Sequence, residues 1–353
     1  MSALALAEVS LALGSFTLGE ISFTLEGPEI LVVLGPNGAG KSVLLETIAG
    51  FHRPACGRII IGDRDVTALP PERRRVGFLV QNFGLFPHLT IVQNVALAAR
   101  GASSDGAAPA IGELLARFGI AHLAEASPLV LSPGEKQRVA LARAQACRPD
   151  VFLLDEPFAA LDAPARDELR LELLRFLRAA RIPALFVTHD HTDVAALGDR
   201  VAIMREGRIL QLAASSEVFH RPLSRTVAEI VGIENILAGR ITSRDPRGLR
   251  VAVGGQIFWA VGDGPGGSEV DLAVRADAIR LVATDDSAVA AENRIPATVV
   301  ALHNLGVLTK VTLDAGIRLI ACLMTRDAAE LGLAPGAAIV ALIRAADVHP
   351  LVP

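Results

Sequence analysis

Gly35-Pro36-Asn37-Gly38-Ala39-Gly40-Lys41-Ser42 follows the apolar run Glu29–Leu34 and precedes Val43–Ala49, in which Leu44, Leu45 and Ile48 recur at helical spacing. Strand, glycine-rich loop and helix in that order form the context in which a G-x4-G-K-S segment holds a triphosphate. The glycines let successive backbone N–H groups turn toward phosphate oxygens, and the helix N-terminus adds partial positive charge. Lys41 is placed to reach the terminal phosphates, and Ser42 offers a hydroxyl suited to Mg²⁺. By average residue usage, such a match arises by chance in about one chain in a hundred of this length. The chain has only three lysines, Lys41, Lys136 and Lys310, and one of them stands here.

Working outward, Val76–Val80, Val151–Leu154 and Ala184–Thr188 are short apolar runs bounded by Gly, Pro or polar residues. They are too continuous for half-exposed strands and predict a buried parallel sheet covered by helices. Ile91–Arg100 and Ile111–Phe118 have helical spacing and predict a helical insertion, at about residues 82–150, with Gly101–Pro109 as a flexible connector. This first domain, an α/β P-loop NTPase, is expected to cover residues 1–232.

Each predicted strand delivers a polar residue to its end, where sites collect in α/β folds. Asp155-Glu156 follows Val151–Leu154, and strand alternation predicts that the two carboxylates face opposite sides and take different roles. Asp155 is suited to hold Mg²⁺ through its water shell, and Glu156 to orient and deprotonate an attacking water. Gln81 follows Val76–Val80 and is placed to contact Mg²⁺ and that water; His189 follows Ala184–Thr188 and is placed to donate to a γ-phosphate. Ser132-Pro133-Gly134-Glu135 opens the helix Lys136–Ala146, with Ser132 and Glu135 spaced as a capping box and Pro133 at the first helical position. The same helix start presents N–H groups and the Ser132 hydroxyl to an anion. His191 and Arg73-Arg74-Arg75 read as solvated or contact surface, and Trp259 as core.

After Gly232 the period changes to two, as in Leu249, Val251 and Val253 and again in Val307, Thr309, Val311 and Leu313. Residues 233–353 are expected to form small all-β barrels or sandwiches of about five strands each, with Leu237–Val253 and Ile295–Leu313 as two related halves. Composition narrows the partners. Thirty-four Lys+Arg against 38 Asp+Glu give a net charge of −4 without long runs of one sign, and aromatics are 4%, which argues against a nucleic-acid grip. Hydrophobic residues reach 51%, yet no run approaches the 18 or so apolar residues of a spanning helix. The first 40 residues contain no Lys or Arg, so the charged start of a secretory signal is missing. Three scattered cysteines, Cys56, Cys147 and Cys322, fit neither a disulfide framework nor a zinc site and point to a reducing compartment.

Taken in order, the phosphate loop, Gln81, Leu131–Glu135, Asp155-Glu156, Ala159–Asp162 and His189 resemble the ATP-binding subunit of an ABC transporter. The resemblance implies ATP and Mg²⁺ as cofactors and a homodimer in which Ser132, Pro133, Gly134 and Glu135 complete the partner's nucleotide site, with Asp162 in the dimer loop. It implies that Gln81 and Asn82–His88 couple ATP closure to transmembrane permease subunits at the cytoplasmic face, with an extracytoplasmic solute-binding protein acting indirectly. The tail, residues 233–353, resembles the regulatory TOBE or Mop-like module of importer ATPases, which implies an all-β OB-like domain. Gly50-Phe51-His52, Gly232–Arg240 and Leu305–Leu313 look most like the molybdate/tungstate group. Iron, sulfate, polyamine and sugar importers share the plan.

Several residues depart from the family pattern. Pro133 stands where the family has Gly and Ala159 where it has Ser, and the adenine-stacking residue falls on Leu13 or Phe16, with Phe16 preferred. Ala290-Ala291-Glu292-Asn293 replaces a Ser/Arg cluster, so Glu292 would repel an oxyanion bound in the tail. Two other readings remain: a soluble ABC ATPase acting on nucleic acid or the ribosome, and a regulatory solute-binding protein that keeps an ATP fold without turnover.

Overall fold

Ser2–Leu13 (β1) and Phe16–Glu26 (β2) form a long antiparallel hairpin. Next come Ile30–Leu34 (β3), buried at every position, and Lys41–Ala49 (α1), with the glycine-rich loop between them. Cys56–Ile61 (β4) and Arg64–Asp65 (β5) complete a four-stranded antiparallel sheet of order β2-β1-β4-β5, a layer beyond the expected buried parallel sheet. The computed structural model describes residues 2–101, 110–159, 163–246, 248–263, 265–284 and 291–351. Most of the expected connector, Gly101–Pro109, and Asp162 lie outside them.

Val76–Leu79 (β6) leads to the helices Ile91–Gly101 (α2), Ile111–Arg117 (α3) and Pro133–Ala146 (α4), and then Val151–Asp155 (β7) returns to the sheet. Ala163–Ala180 (α5), Ala184–Thr188 (β8), His191–Leu197 (α6), Arg200–Arg205 (β9) and Arg208–Ala214 (β10) follow. The second sheet runs β10-β9-β3-β8-β7-β6, with parallel pairing from β9 through to β6. The runs of β3, β7 and β8 thus become central strands buried at every position, whereas β6, expected to be buried in the same way, is an edge strand that alternates half-buried and buried residues. Leu4, Val9, Leu18 and Ile21 of the antiparallel sheet share one core with Leu31 and Val33 of β3 and with Leu44, Leu45 and Ile48 of α1. Both ends of the phosphate loop are therefore anchored in packed apolar surface.

Arg74 corrects the expectation of a solvated triple arginine. Arg73 and Arg75 are exposed, but Arg74 is 1% exposed. Its Nε donates to Leu69 O at 2.8 Å, its Nη1 to Thr47 O and Ile48 O at 2.9 Å each, and its Nη2 to Thr67 O at 3.1 Å. The last carbonyls of a helix have no intrahelical donor, and the guanidinium fork supplies it for α1. Burial pulls the Arg74 pKa below its ordinary value. We expect Arg74→Met to lower stability by about 3 kcal/mol, because buried carbonyls lose their donor. Urea unfolding reads this directly, and a loss under about 0.5 kcal/mol, the level of an ordinary surface change, contradicts it.

The chain divides into two compact units, Met1–Ser215 and Ser216–Pro353, so that Ser215–His220 (α7) and Arg225–Ile230 (α8) run ahead of Gly232 almost entirely within the second unit. That unit contains Asn235–Asp245 (β11), Gly248–Val253 (β12), Gln256–Ala260 (β13), Glu269–Val274 (β14) and Arg280–Val282 (β15). Asn293–Asn304 (β16), Leu308–Asp314 (β17), Arg318–Met324 (β18), Thr325–Glu330 (α9), Ala338–Ile343 (β19) and Val348–Leu351 (β20) follow.

Two five-stranded sheets result, β13-β12-β11-β14-β20 and β15-β19-β16-β17-β18. The hairpins β11-β12 and β16-β17 correspond, and each half lends its last strand to the other: β15 pairs with β19, and β20 pairs with β14. A single apolar core spans both sheets. Two buried asparagines seal the exchange. Asn235 donates to Val274 O (3.1 Å) and Ile320 O (2.9 Å) and accepts from Ile320 N (2.7 Å). Asn293 does the same with Ile343 O (3.1 Å), Trp259 O (3.0 Å) and Trp259 N (2.5 Å). Trp259 itself is not core. Strand alternation buries Phe258 and turns Trp259 to the other face, half-buried, with the Arg250 guanidinium 4.4 Å from its ring centroid.

Candidate functional site

Gly40 N-caps α1 with φ 99°, a left-handed conformation that favours glycine, and a β-carbon there would collide with the Phe16 ring. Phe16 therefore lies directly against the phosphate loop. Gly40 offers no side-chain cap and the first turn of α1 carries no acid, so its N–H groups face the loop with a polarity suited to an anion. The preceding backbone is fixed by Ala39 N donating to Pro36 O at 3.2 Å and by Gly207 N donating to Ala39 O at 2.9 Å.

Lys41 is 6% exposed, and its Nζ donates to Gly35 O at 2.9 Å and Pro36 O at 3.1 Å. The same Nζ stands 3.7 Å from Glu156 Oε1. Burial pulls the Lys41 pKa down, against the upward effect of Glu156 and Asp155. Ser42 Oγ donates to Asp155 Oδ1 at 3.1 Å. Burial raises the Asp155 pKa above its ordinary value, and the Ser42 bond opposes this. A buried carboxylate beside a hydroxyl is a hard-oxygen donor pair, the chemistry that Mg²⁺ prefers.

The expectation that Asp155 and Glu156 face opposite sides is corrected. The strand ends at Asp155, and Glu156 takes φ 42°, so alternation stops and both carboxylates reach the phosphate loop. A non-glycine residue in that region is strained by about 1–3 kcal/mol, a cost found where surrounding structure enforces a functional geometry. Glu156 Oε1 lies 3.1 Å from His189 Nδ1, and the His189 side chain is 53% exposed, open to a ligand.

Gln81 is exposed just beyond β6. The β6–β7 pairing runs as far as Leu79 opposite Leu154, two residues short of Gln81 and of Glu156. Sequence reasoning missed how the loop after Gln81 is held. Asn94 of α2, fully buried, accepts from Phe86 N at 2.8 Å and donates to Phe86 O, Leu89 O and Thr90 O at 3.1, 3.2 and 3.0 Å. Arg143 of α4 donates to Gly84 O and, at 2.7 Å, to Phe83 O. An interior polar residue in an amphipathic helix is the only signal that Asn94 gives in the sequence.

At the head of α4 the capping box forms as its spacing predicts. Ser132 Oγ accepts from Glu135 N at 3.3 Å, and Glu135 Oε2 accepts from Ser132 N and Ser132 Oγ at 2.8 Å each. Hydrogen bonds from Ser132 hold the Glu135 carboxyl below its ordinary range. Pro133 occupies the first helical position, and a β-carbon at Gly134 would come within 3.5 Å of Leu169 of α5. These residues form their own group. In the tail, Glu292 accepts from Ala345 N at 3.1 Å, and this bond holds its carboxyl below the usual range. Glu292 is therefore a fixed negative charge beside Asn293, whose amide is already spent on the strand exchange.

The chain is similar in sequence to known ATP-binding proteins of importers. The sequence pattern of the ABC transporter family matches residues 18–159, and that of the TOBE domain matches residues 290–350. A molybdate/tungstate import ATP-binding protein of Pyrococcus horikoshii is 36% identical over 95% of this chain and 95% of its own. One of the same description from Thermococcus kodakarensis is 43% identical over 65% of this chain and 70% of its own. A spermidine/putrescine import ATP-binding protein of Pseudomonas fluorescens is 39% identical over 76% of this chain and 75% of its own.

Proposed function

The chain belongs to the family of ABC transporter ATP-binding proteins, and we propose from that premise that it hydrolyses ATP to drive import of molybdate or tungstate through a separate membrane permease. The observation that carries the ATPase reading is the convergence of Lys41, Ser42, Asp155, Glu156 and His189 on one phosphate-binding loop. Lys41 and the α1 N–H groups hold the β- and γ-phosphates, and Phe16 stacks near the nucleotide. Ser42 and Asp155, with Gln81, hold Mg²⁺, which when bound neutralises developing charge on the phosphates. Glu156 Oε1 accepts a proton from the attacking water as its oxygen bonds to the γ-phosphorus, and ADP leaves. His189, 3.1 Å from that carboxylate, donates to the γ-phosphate and fixes the base.

Two copies assemble head to tail, each supplying Ser132–Glu135 to the other's nucleotide. The Ser132 hydroxyl now donates to Glu135 and exchanges that bond for a phosphate oxygen on closure. No helix among the described residues is long and apolar enough to cross a membrane, in keeping with a peripheral subunit at the cytoplasmic face. The solute assignment is supported by the Pyrococcus and Thermococcus relatives. The carboxylate of Glu292 and the committed amide of Asn293 disfavour an oxyanion at that corner of the tail.

The purified chain is expected to release phosphate from ATP only with Mg²⁺; release that survives chelation, or none at all, overturns the reading. Deleting the gene should lower cellular molybdenum or tungsten under limiting supply, read by mass spectrometry. Unchanged metal content with reduced spermidine uptake would favour the polyamine reading instead.

A further inference from the structure

Behind His189 lies a buried charged network that no step above uses. Thr188, Asp193 and Arg170 are 3, 3 and 5% exposed. Thr188 Oγ1 donates to Asp193 Oδ2 at 2.7 Å and accepts from Asp190 N at 3.0 Å. One side chain thus ties down the backbone on the far side of His189. The other oxygen of Asp193 accepts from Arg170 Nε at 2.8 Å and Nη2 at 2.7 Å. Arg170 also donates to Asp167 Oδ1 at 2.5 Å and stands 3.7 Å from Asp190 Oδ2. Its guanidinium lies 5.8 Å from the ring centroid of Phe158, which is 2% exposed and belongs to the turn just after Glu156. Arg166, on the same face of α5, reaches Asp190 Oδ2 at 3.3 Å.

We propose that Arg170, Asp193 and Thr188 are positioning residues for hydrolysis: they lock the His189 backbone to α5 and to the turn carrying Glu156, and so set the His189–Glu156 pair. This rests on the ATPase reading and names further residues for it. Such a network is costly to bury and strongly destabilising to break partway, so its place beneath the one exposed histidine of the site calls for a function. The geometry also connects α5, whose start follows the residue 159–162 loop, with the histidine. The His189 ring nitrogen Nδ1 is bonded to Glu156 rather than to these residues, so the network acts on the placement of the histidine.

Thr188→Val keeps shape and burial while removing the hydroxyl. Its kcat should fall about 10- to 100-fold, the scale of a small misplacement of a reacting group, while KM for ATP stays within about twofold. Thr188→Ser should recover kcat to within about threefold, because it restores the bridging oxygen. Arg170→Lys should lower kcat without changing KM, since an ammonium cannot present two parallel donors to Asp193. Wild-type kcat in Thr188→Val overturns the proposal; so does a fall in kcat that serine fails to rescue or that comes with a matching rise in KM, since either marks general disruption. Should Thr188→Val not fold, Arg170→Lys decides alone, and unchanged kcat there is fatal to the proposal. Absence of Mg²⁺-dependent turnover in the unaltered protein would instead strike the ATPase reading itself.

Discussion

Glu156→Gln lowers ATP turnover by about 10²- to 10³-fold while leaving ATP bound, the range for removing a general base. The amide keeps the size of the carboxylate and can still meet His189, but it cannot take a proton from water. Glu156 also sits 3.7 Å from the Lys41 ammonium, so replacing it removes an anion from the pocket that receives the phosphates. Ground-state affinity for MgATP should therefore hold or rise as chemistry fails. Phosphate release and nucleotide retention after gel filtration measure the two halves of this expectation. A variant with normal turnover shows that another group activates the water.

Lys41→Ala acts on binding. Lys41 is buried, its pKa is pulled down by desolvation, and Glu156 is its nearest acidic partner. Phosphate oxygens would add anionic partners to this desolvated cation beyond Glu156. Hydrogen bonds to charged groups contribute about 1.5–3 kcal/mol, so affinity should fall by about tenfold to more than a hundredfold. Calorimetry with MgATP reads the loss. Thermal protection by nucleotide, present in the unaltered protein, should shrink in parallel because stabilisation by a ligand follows its affinity. Equal affinity in the two proteins contradicts the role given to the loop.

The readable parts of this chain are those where chemistry leaves few choices. The glycine-rich loop, the fully buried strands β3, β7 and β8, and the capping box of α4 follow from local residue types. The hairpin β1-β2 was harder to see, because register shifts near Leu6, Val9 and Leu11 interrupt the alternation that marks a strand. Arg74 was misread for a different reason. Its value lies in carbonyls of Thr47, Ile48, Thr67 and Leu69, and nothing in three successive arginines shows which one will turn inward. The left-handed backbone of Glu156 is likewise imposed by tertiary context rather than by residue type. Partners such as Arg170 and Asp193, or Asn235 and Ile320, are distant in sequence and become visible only once the strands are placed. The strand exchange in the tail shows both cases: corresponding hairpins were legible as repeated period-two segments, whereas the trade of β15 for β20 was not.

Sedimentation velocity on Glu156→Gln, with and without MgATP, tests the central claim that two copies of this chain close around the nucleotide. A shift from monomer to dimer that requires both ATP and the intact Ser132 hydroxyl is the predicted result. A species whose mass does not change with MgATP would contradict it.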